Sequence, residues 1–400
     1  MRTLLSTIGS RGDVQPLVAL GLELKRGGHH ARLLVPPDFR EWIESCGLEV
    51  TAIGPAVRNA AITDRRRMAE ETVATQFEAV TAAAAGCDAI VAATALQIAA
   101  HSIAEKKGMP YVFAAYCPIV LPSPRHAPPP LPPVPGQPDA AAGAGNDELW
   151  ARDAARFDDL FGAALNAHRE AIGLAPVASA RGHVFGGQPW IAADPTLGPW
   201  PDPADTGVFQ PGAWILADER PLPPDVTAFL DGGDPPVYFG FGSMRAPQDV
   251  ARVLVDTARA LGRRAVVSRG WADLSMGEDA PDVLLAGEVN LQALFRRVAA
   301  VVHHGGAGTT TLAAQAGAPQ VVVPQIYDQH YWARRVEQLG AGVAHAPGMP
   351  TVDSLARTLD VVLRPGGAPR LQSIAAAVRT DGTARAVARL LTLTTRTHGS

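Results

Sequence analysis

The chain has 400 residues, 47% of them apolar, and a formal net charge of -4 at pH 7. This length accommodates two α/β domains with well-buried cores, and one domain of this size would be unusual. The charge gives no general attraction to nucleic acid or an anionic membrane. Three cysteines, Cys46, Cys87 and Cys117, lack the spacing of a disulfide framework or a zinc site.

Arg11 and Asp13 interrupt the apolar start before a signal-peptide core can form. No stretch approaches the roughly 18 apolar residues of a membrane span, so the sequence reads as soluble and cytoplasmic. Residues 3–8 read as a buried strand and 14–26 as a helix whose apolar surface comes from Leu17, Leu20, Leu22 and Leu24. Between them lies Gly9-Ser10-Arg11-Gly12-Asp13. A strand, Gly-rich loop and helix place Asp13 beyond a strand's carboxyl end, where open parallel sheets bind ligands. Asp also serves well as an N-cap, and spacing does not choose between cap and catalyst.

Strands at 31–35, 89–92 and 111–115 alternate with helices at 40–46, 69–85 and 96–107, which predicts a doubly wound sheet. Residues 121–145 are too rich in Pro and Gly for regular structure and read as a lid, a binding loop or disorder. A helix at 147–172 and a strand at 189–193 follow. A second Pro-rich stretch, with an extended run at 208–216, reads as an interdomain linker.

The second half repeats the plan. Strands are expected at 237–242, 265–268, 283–285, 300–303 and 320–323, with helices at 249–261, 291–296, 310–316 and 329–339. Three more helices are expected at 352–363, 371–378 and 383–391. The segment 301–311, V-V-H-H-G-G-A-G-T-T-T, carries the most chemistry. Its glycines permit close backbone approach, and the following helix offers unpaired amides and a positive dipole end to an anion. Thr309 and Thr310 add hydroxyls. A plain strand-to-helix turn closed by His303 and His304 is the competing reading.

Several further segments stand in a fixed order: G-S-R-G-D at 9–13, H-R-E-A-I-G-L at 168–174, Q-P-W-I-A-A-D-P at 188–195 and G-A-W-I-L-A-D-E-R-P-L at 212–222. S-R-G-W-A-D-L at 268–274, G-E-V-N at 287–290 and H-H-G-G-A-G-T-T at 303–310 follow. Together they resemble the inverting, nucleotide-sugar-dependent glycosyltransferases of family 1, in particular the branch acting on vancomycin-type glycopeptide aglycones. The resemblance implies the GT-B fold, two Rossmann-like domains facing across a cleft. The domains expected are an acceptor-binding one at 1–194, a linker at 195–223 and a nucleotide-sugar-binding one at 224–382. A C-terminal helix or tail at 383–400 is a candidate to pack on the first domain.

The resemblance implies that His304, Gly306, Gly308, Thr309, Thr310 and Ser243 hold the donor diphosphate. Val289 and Trp271 match the base and ribose region, and Asp328 with Gln329 match the pair that contacts sugar hydroxyls. Ser10, Arg11 and Gly12 form the loop near acceptor and diphosphate. Capping and core packing are the bland roles for Ser243, Asp328 and Trp271.

Many family members carry a histidine base in a G-H-x-x-P setting, whereas this chain has Gly12-Asp13-Val14-Gln15-Pro16. Asp13 matches the aspartate base of the glycopeptide branch. From an ordinary aspartate at about 3.9 to a phenol at about 10, full proton transfer before attack is uphill by roughly 8 kcal/mol. The proton must move late, or burial must make Asp13 more basic. No Asp-x-Asp pair occurs, so no essential metal and no cofactor are expected beyond a UDP- or dTDP-sugar co-substrate. Tyr116, Pro118 and the segment after Leu121 are candidate acceptor contacts. The expected partners are the donor and a natural-product acceptor, without nucleic acid or integral membrane association. A sterol or lipid glucosyltransferase, a sugar-nucleotide epimerase and a noncatalytic binding protein are the alternatives.

Overall fold

The computed structural model describes residues 1–57, 65–94, 96–130, 143–202, 205, 207–241, 250–270 and 280–397. The N-terminal half holds strands β1 (Arg2–Thr7), β2 (His30–Val35), β3 (Glu49–Ala52), β4 (Ala89–Ala93), β5 (Tyr111–Ala115) and β6 (Trp190–Ile191). Around them run α1 (Arg11–Arg26), α2 (Arg40–Ser45), α3 (Arg65–Ala83), α4 (Ala100–Lys107), α5 (Asn146–Ala171) and α6 (Ala180–Phe185). The sheet order is β3-β2-β1-β4-β5-β6, parallel throughout. β4 and β5 are almost wholly apolar runs, as strands with both faces covered are, while β1 keeps Thr3, Ser6 and Thr7 buried around Leu4 and Leu5.

The C-terminal half holds β7 (Val237–Gly240), β8 (Ala265–Ser268), β9 (Val283–Ala286), β10 (Ala300–His303), β11 (Gln320–Val322) and β12 (Gly342–Ala344). Its helices are α7 (Pro224–Asp231), α8 (Val250–Ala260), α9 (Leu291–Leu294), α10 (Ala307–Gln315), α11 (Gln329–Gln338), α12 (Val352–Leu363) and α13 (Ala368–Ala377). The order β12-β11-β10-β7-β8-β9 is the same doubly wound plan. Strand order reverses between β1 and β4 and again between β7 and β10, so each half opens one crevice at its strands' carboxyl ends.

The last helix, α14 (Gly382–Thr397), returns to the N-terminal half. Its Ala386, Val387 and Leu390 are buried in one cluster with Leu17, Leu20 and Leu24 of α1. The predicted 96–107 helix is shorter, beginning at Ala100, and the strand predicted at 189–193 is reduced to β6. In the Pro-rich segment after Leu121, the described arm is anchored by side chains. Trp150 Nε1 donates to the His126 carbonyl at 2.9 Å, and Asn146 Nδ2 to that of Pro124 at 2.8 Å. The His126 ring sits edge-on to Trp150 and Trp200.

Candidate active site

The crevice of the N-terminal half is entered by the loop from β1 to α1. Ser10, not Asp13, is the N-cap of α1; Asp13 is the third residue of the helix. The Asp13 carboxylate receives the Ser10 backbone N–H at 2.7 Å and the Ser10 hydroxyl at 3.1 Å on the same oxygen. Dense surroundings strip water from the carboxylate and raise its pKa, while the two Ser10 donors oppose the rise. Tyr116, at the end of β5, donates its hydroxyl to the Asp13 carbonyl at 2.9 Å and so fixes that backbone.

Opposite stands the loop from β10 to α10. His303 is fully buried, and its pKa is pushed down to about 3, chiefly by desolvation. Its Nδ1 accepts the Gly305 N–H at 3.1 Å, which leaves Nε2 as the donor to Gln320 Oε1 at 2.9 Å. His303 is therefore the residue that closes the turn. His304 points elsewhere: a Cβ on Gly306 would come within 2.7 Å of its Nε2, so the imidazole edge lies over the N-cap of α10. Desolvation lowers the His304 pKa to about 4, with the Gly240 backbone offsetting only part. Its Nδ1 is buried without a well-oriented hydrogen-bond partner among the described residues. The ring is neutral at pH 7 in this state.

Gly305 has φ +95°, and a Cβ there would lie 2.8 Å from Val322 Cγ1 and 3.0 Å from the Gln329 carbonyl. Gly308 is exposed, and a Cβ there would meet nothing within 4 Å. Thr309 is partly exposed. Thr310, expected to offer a hydroxyl to phosphate, is buried, and here its hydroxyl donates to the Gly306 carbonyl at 2.9 Å. Thr311 does the same to Ala307.

Asp328 occupies the N-cap position of α11 but makes no side-chain cap. Its Oδ2 accepts Trp332 Nε1 at 3.2 Å. Desolvation first, then the charge of Asp13, raises its pKa to about 6, so the two carboxylates sense each other across the cleft. Gln329 is buried, and its Oε1 accepts the N–H groups of Gln325 and Ile326, which fixes the loop ahead of α11. Tyr327 in that loop has φ +55°, a conformation that surrounding contacts must hold. Val289 is partly buried beside the Asn290 cap of α9. Ser243 and Trp271 lie outside the described residues.

Gly12 and Gly308, the second residues of α1 and α10, line one cavity between the halves together with Tyr116, Trp214, Thr311 and Trp332. Trp214 and Thr311 carried no expected role. Trp214 stands in the quoted G-A-W-I-L segment, yet its spacing gave no sign that the linker returns to the cleft. Pro118 is buried in a turn after β5 and does not face this space. Arg11 is turned away from the cavity's interior, onto Trp42 and Glu288.

Residues 3–121 match the glycosyltransferase family 28 N-terminal domain, and 254–389 match the erythromycin biosynthesis protein CIII-like C-terminal domain. Among solved structures, the glycosyltransferase of kitacinnamycin covers 98% of each chain with a TM-score of 0.74 at 20% identity, a likeness of fold. Two doubly wound halves meeting at such a cleft define the GT-B fold. The chain is 49% identical over 396 residues to the glycosyltransferase GtfE of Amycolatopsis orientalis, with 96% of each chain covered. It is 47% identical over 405 residues to the vancomycin aglycone glucosyltransferase of the same organism, covering 99% of this chain and 98% of the relative. It belongs to the family 1 glycosyltransferases, in the branch that contains these two relatives. Among the described residues, no helix is long and apolar enough to cross a membrane.

Proposed function

We propose that this chain moves a sugar from a UDP- or dTDP-sugar to a hydroxyl of a natural-product aglycone of the glycopeptide or a related phenolic type, inverting the anomeric carbon. The observation that carries the site assignment is the shared cavity: α1 and α10 present their N-terminal turns to the same space. Asp13, one residue beyond Gly12 in the first turn of α1, is read as serving the acceptor side of this space, with the start of α10 as its diphosphate side. The names of two relatives, a vancomycin aglycone glucosyltransferase and a dTDP-epi-vancosaminyltransferase, support the acceptor and donor classes.

In this reading the first-turn amides of α10 and the His304 imidazole edge hold the diphosphate, with room at Gly308 for close approach. Val289 lies toward the nucleoside, and Asp328 and Gln329 toward the sugar. The acceptor oxygen attacks the anomeric carbon from the Asp13 side, its proton passes to the Asp13 carboxylate, and the carbon–oxygen bond to the diphosphate breaks with its electron pair leaving on phosphate. Burial of Asp13 makes it a better proton acceptor than an exposed aspartate. His304 and the helix amides supply the leaving-group stabilisation without a protein-bound metal, in a cytoplasmic enzyme.

The test is a panel of UDP- and dTDP-sugars incubated with glycopeptide aglycones, phenolic polyketides and a sterol, with and without chelator, read by mass spectrometry. A hexose or deoxyhexose increment on a phenolic acceptor that survives chelation is expected, and Asp13→Asn should lower kcat by at least about a hundredfold while nucleotide binding persists. Conversion of the nucleotide sugar without an acceptor, or turnover restored only by added metal, would overturn it.

A further inference from the structure

One ion-pair network joins three parts of the chain. Arg11 forks onto Glu288, with Nη2 2.9 Å from Oε1 and Nη1 3.5 Å from Oε2. Within the N-terminal half its guanidinium lies 3.6 Å from the centroid of the Trp42 ring, and its Nε donates to Gln15 Oε1 at 3.3 Å. Glu288 stands in the other half, between β9 and α9 and next to Val289. Arg220 of the linker reaches its Oε1 at 3.6 Å while pairing with Asp218.

The tethers around this network are unequal. Buried Asn290 donates from Nδ2 to the carbonyls of Asp218 and Arg220 at 2.8 and 2.7 Å, and Gln292 Nε2 donates to that of Leu216 at 2.7 Å. The linker from Asp218 to Arg220 is therefore tied to the C-terminal half, while the Leu216 side chain still packs on the N-terminal core. The loop of Arg11 belongs to the N-terminal half, and among the described residues the Arg11–Glu288 fork is the polar contact joining loop 9–13 to loop 287–290. Asp13 lies two residues from Arg11 in the same helical turn, its carboxylate held by Ser10.

We propose that Arg11 and Glu288 form a positioning latch across the mouth of the cleft, holding the Asp13 loop in register with the loop at the nucleotide end of the donor site. This rests on the assignment of Asp13 as base and of loop 287–290 as a donor contact. Neither residue touches the reacting atoms. The pair is partly exposed, with side chains 30% and 58% accessible, so it is screened by salt. It acts on the balance between open and closed cleft, where a contact of this kind changes populations by about two- to fivefold.

The experiment compares Arg11→Gln, Glu288→Gln and the double variant Arg11→Gln with Glu288→Gln in the full chain. Transfer kinetics at about 0.05 and 0.5 M salt are paired with UDP and dTDP titration calorimetry and with small-angle scattering of the nucleotide-bound protein. Each single variant is expected to lose about two- to fivefold in kcat, with nucleotide affinity held and with less compaction on binding. The double variant should lose no more than either single, because the two residues act as one contact, and high salt should slow the original chain while leaving the variants unchanged. A double variant that loses the product of the two single losses overturns the proposal, as does a Glu288→Gln protein that matches the original. Loss of nucleotide affinity in Glu288→Gln also overturns it, making Glu288 a donor ligand. Scattering keeps the two readings apart: if Asp13→Asn retains turnover while the single variants still lose compaction, the base assignment fails and the latch stands.

Discussion

Gly308 has no packing reason to be glycine, because a Cβ there would meet no described atom within 4 Å. Glycine within a helix is less favourable than alanine, by up to about 1 kcal/mol in the interior and less in the first turn, so its presence here fits the close-lying diphosphate proposed for this helix start. Gly308→Ala should leave the melting temperature unchanged or slightly raised while weakening UDP or dTDP binding by about tenfold, roughly 1.4 kcal/mol. Calorimetry checks this, and unchanged affinity would remove Gly308 from the donor site. Asp328 makes a second case at the same scale. Its folded pKa of about 6 lies above the ordinary aspartate value, so the folded chain keeps a proton that the unfolded chain has released. That contribution is fully present below about pH 4 and is lost as the pH rises through about 6. Solvent reaches one side of Asp328, which reduces a full linkage of roughly 3 kcal/mol to about 1–2 kcal/mol. Asp328→Asn should therefore raise the melting temperature at pH 8, leave it unchanged near pH 4, and lower transfer activity at both. A variant less stable at pH 8 would show that the carboxylate is satisfied there.

Between α5 and α6, Asp153 and Arg181 form an ion pair at 2.9 Å with side chains 9% and 6% exposed. The guanidinium also faces the rings of Phe157 and Phe185. Removing one partner strands the other, so Asp153→Asn should cost about 3–5 kcal/mol in denaturant unfolding, and Asp153→Leu with Arg181→Met should recover most of it. An unfolding midpoint unchanged in the single variant would count against a desolvated pair. Such clasps bear on what was legible in advance. The central strands and both cleft loops follow from β-branched runs ending in Gly-rich turns. The edge strands β3 and β12 carry partly exposed residues and no unbroken apolar run, and α6 is too short for a helical period. The start of α10 at Ala307 was hidden because Gly308 reads as loop, although Gly306 already caps the helix. The roles of Ser10 and of the Thr310 hydroxyl depend on side-chain directions, and the Arg11–Glu288 fork spans 277 residues; neither leaves a periodic trace.

The chain crosses between its halves twice, and the two crossings are tied to each other at one place. Gly212, at φ +123°, lies against Gly382, and a Cβ on Gly382 would come within 2.4 Å of the Ala213 carbonyl. Nearby, Arg335 of α11 donates from Nε to the Leu197 carbonyl at 2.7 Å. Fully buried Asp194 completes the tie: Oδ1 accepts the N–H groups of Thr196 and Leu197 at 2.8 and 3.2 Å, and Oδ2 accepts that of Arg379 at 2.8 Å. Three backbone donors from both crossings thus converge on one carboxylate, an arrangement that only an acceptor on both sides can satisfy. In Asp194→Asn one oxygen becomes an NH2 group, and if the remaining oxygen keeps Thr196 and Leu197, a donor faces the Arg379 N–H. A buried donor left without an acceptor costs about 1–3 kcal/mol, and here the loss falls on a contact between the two crossings. The loops of the C-terminal half to which the proposal assigns the donor are untouched. The expected result is a melting temperature lowered by a few degrees and a kcat lowered severalfold, with UDP or dTDP affinity unchanged in calorimetry. Equal losses in kcat and in nucleotide affinity would mean that the damage spreads through the C-terminal half, and an unchanged melting temperature would mean that the crossings are held by packing without this carboxylate.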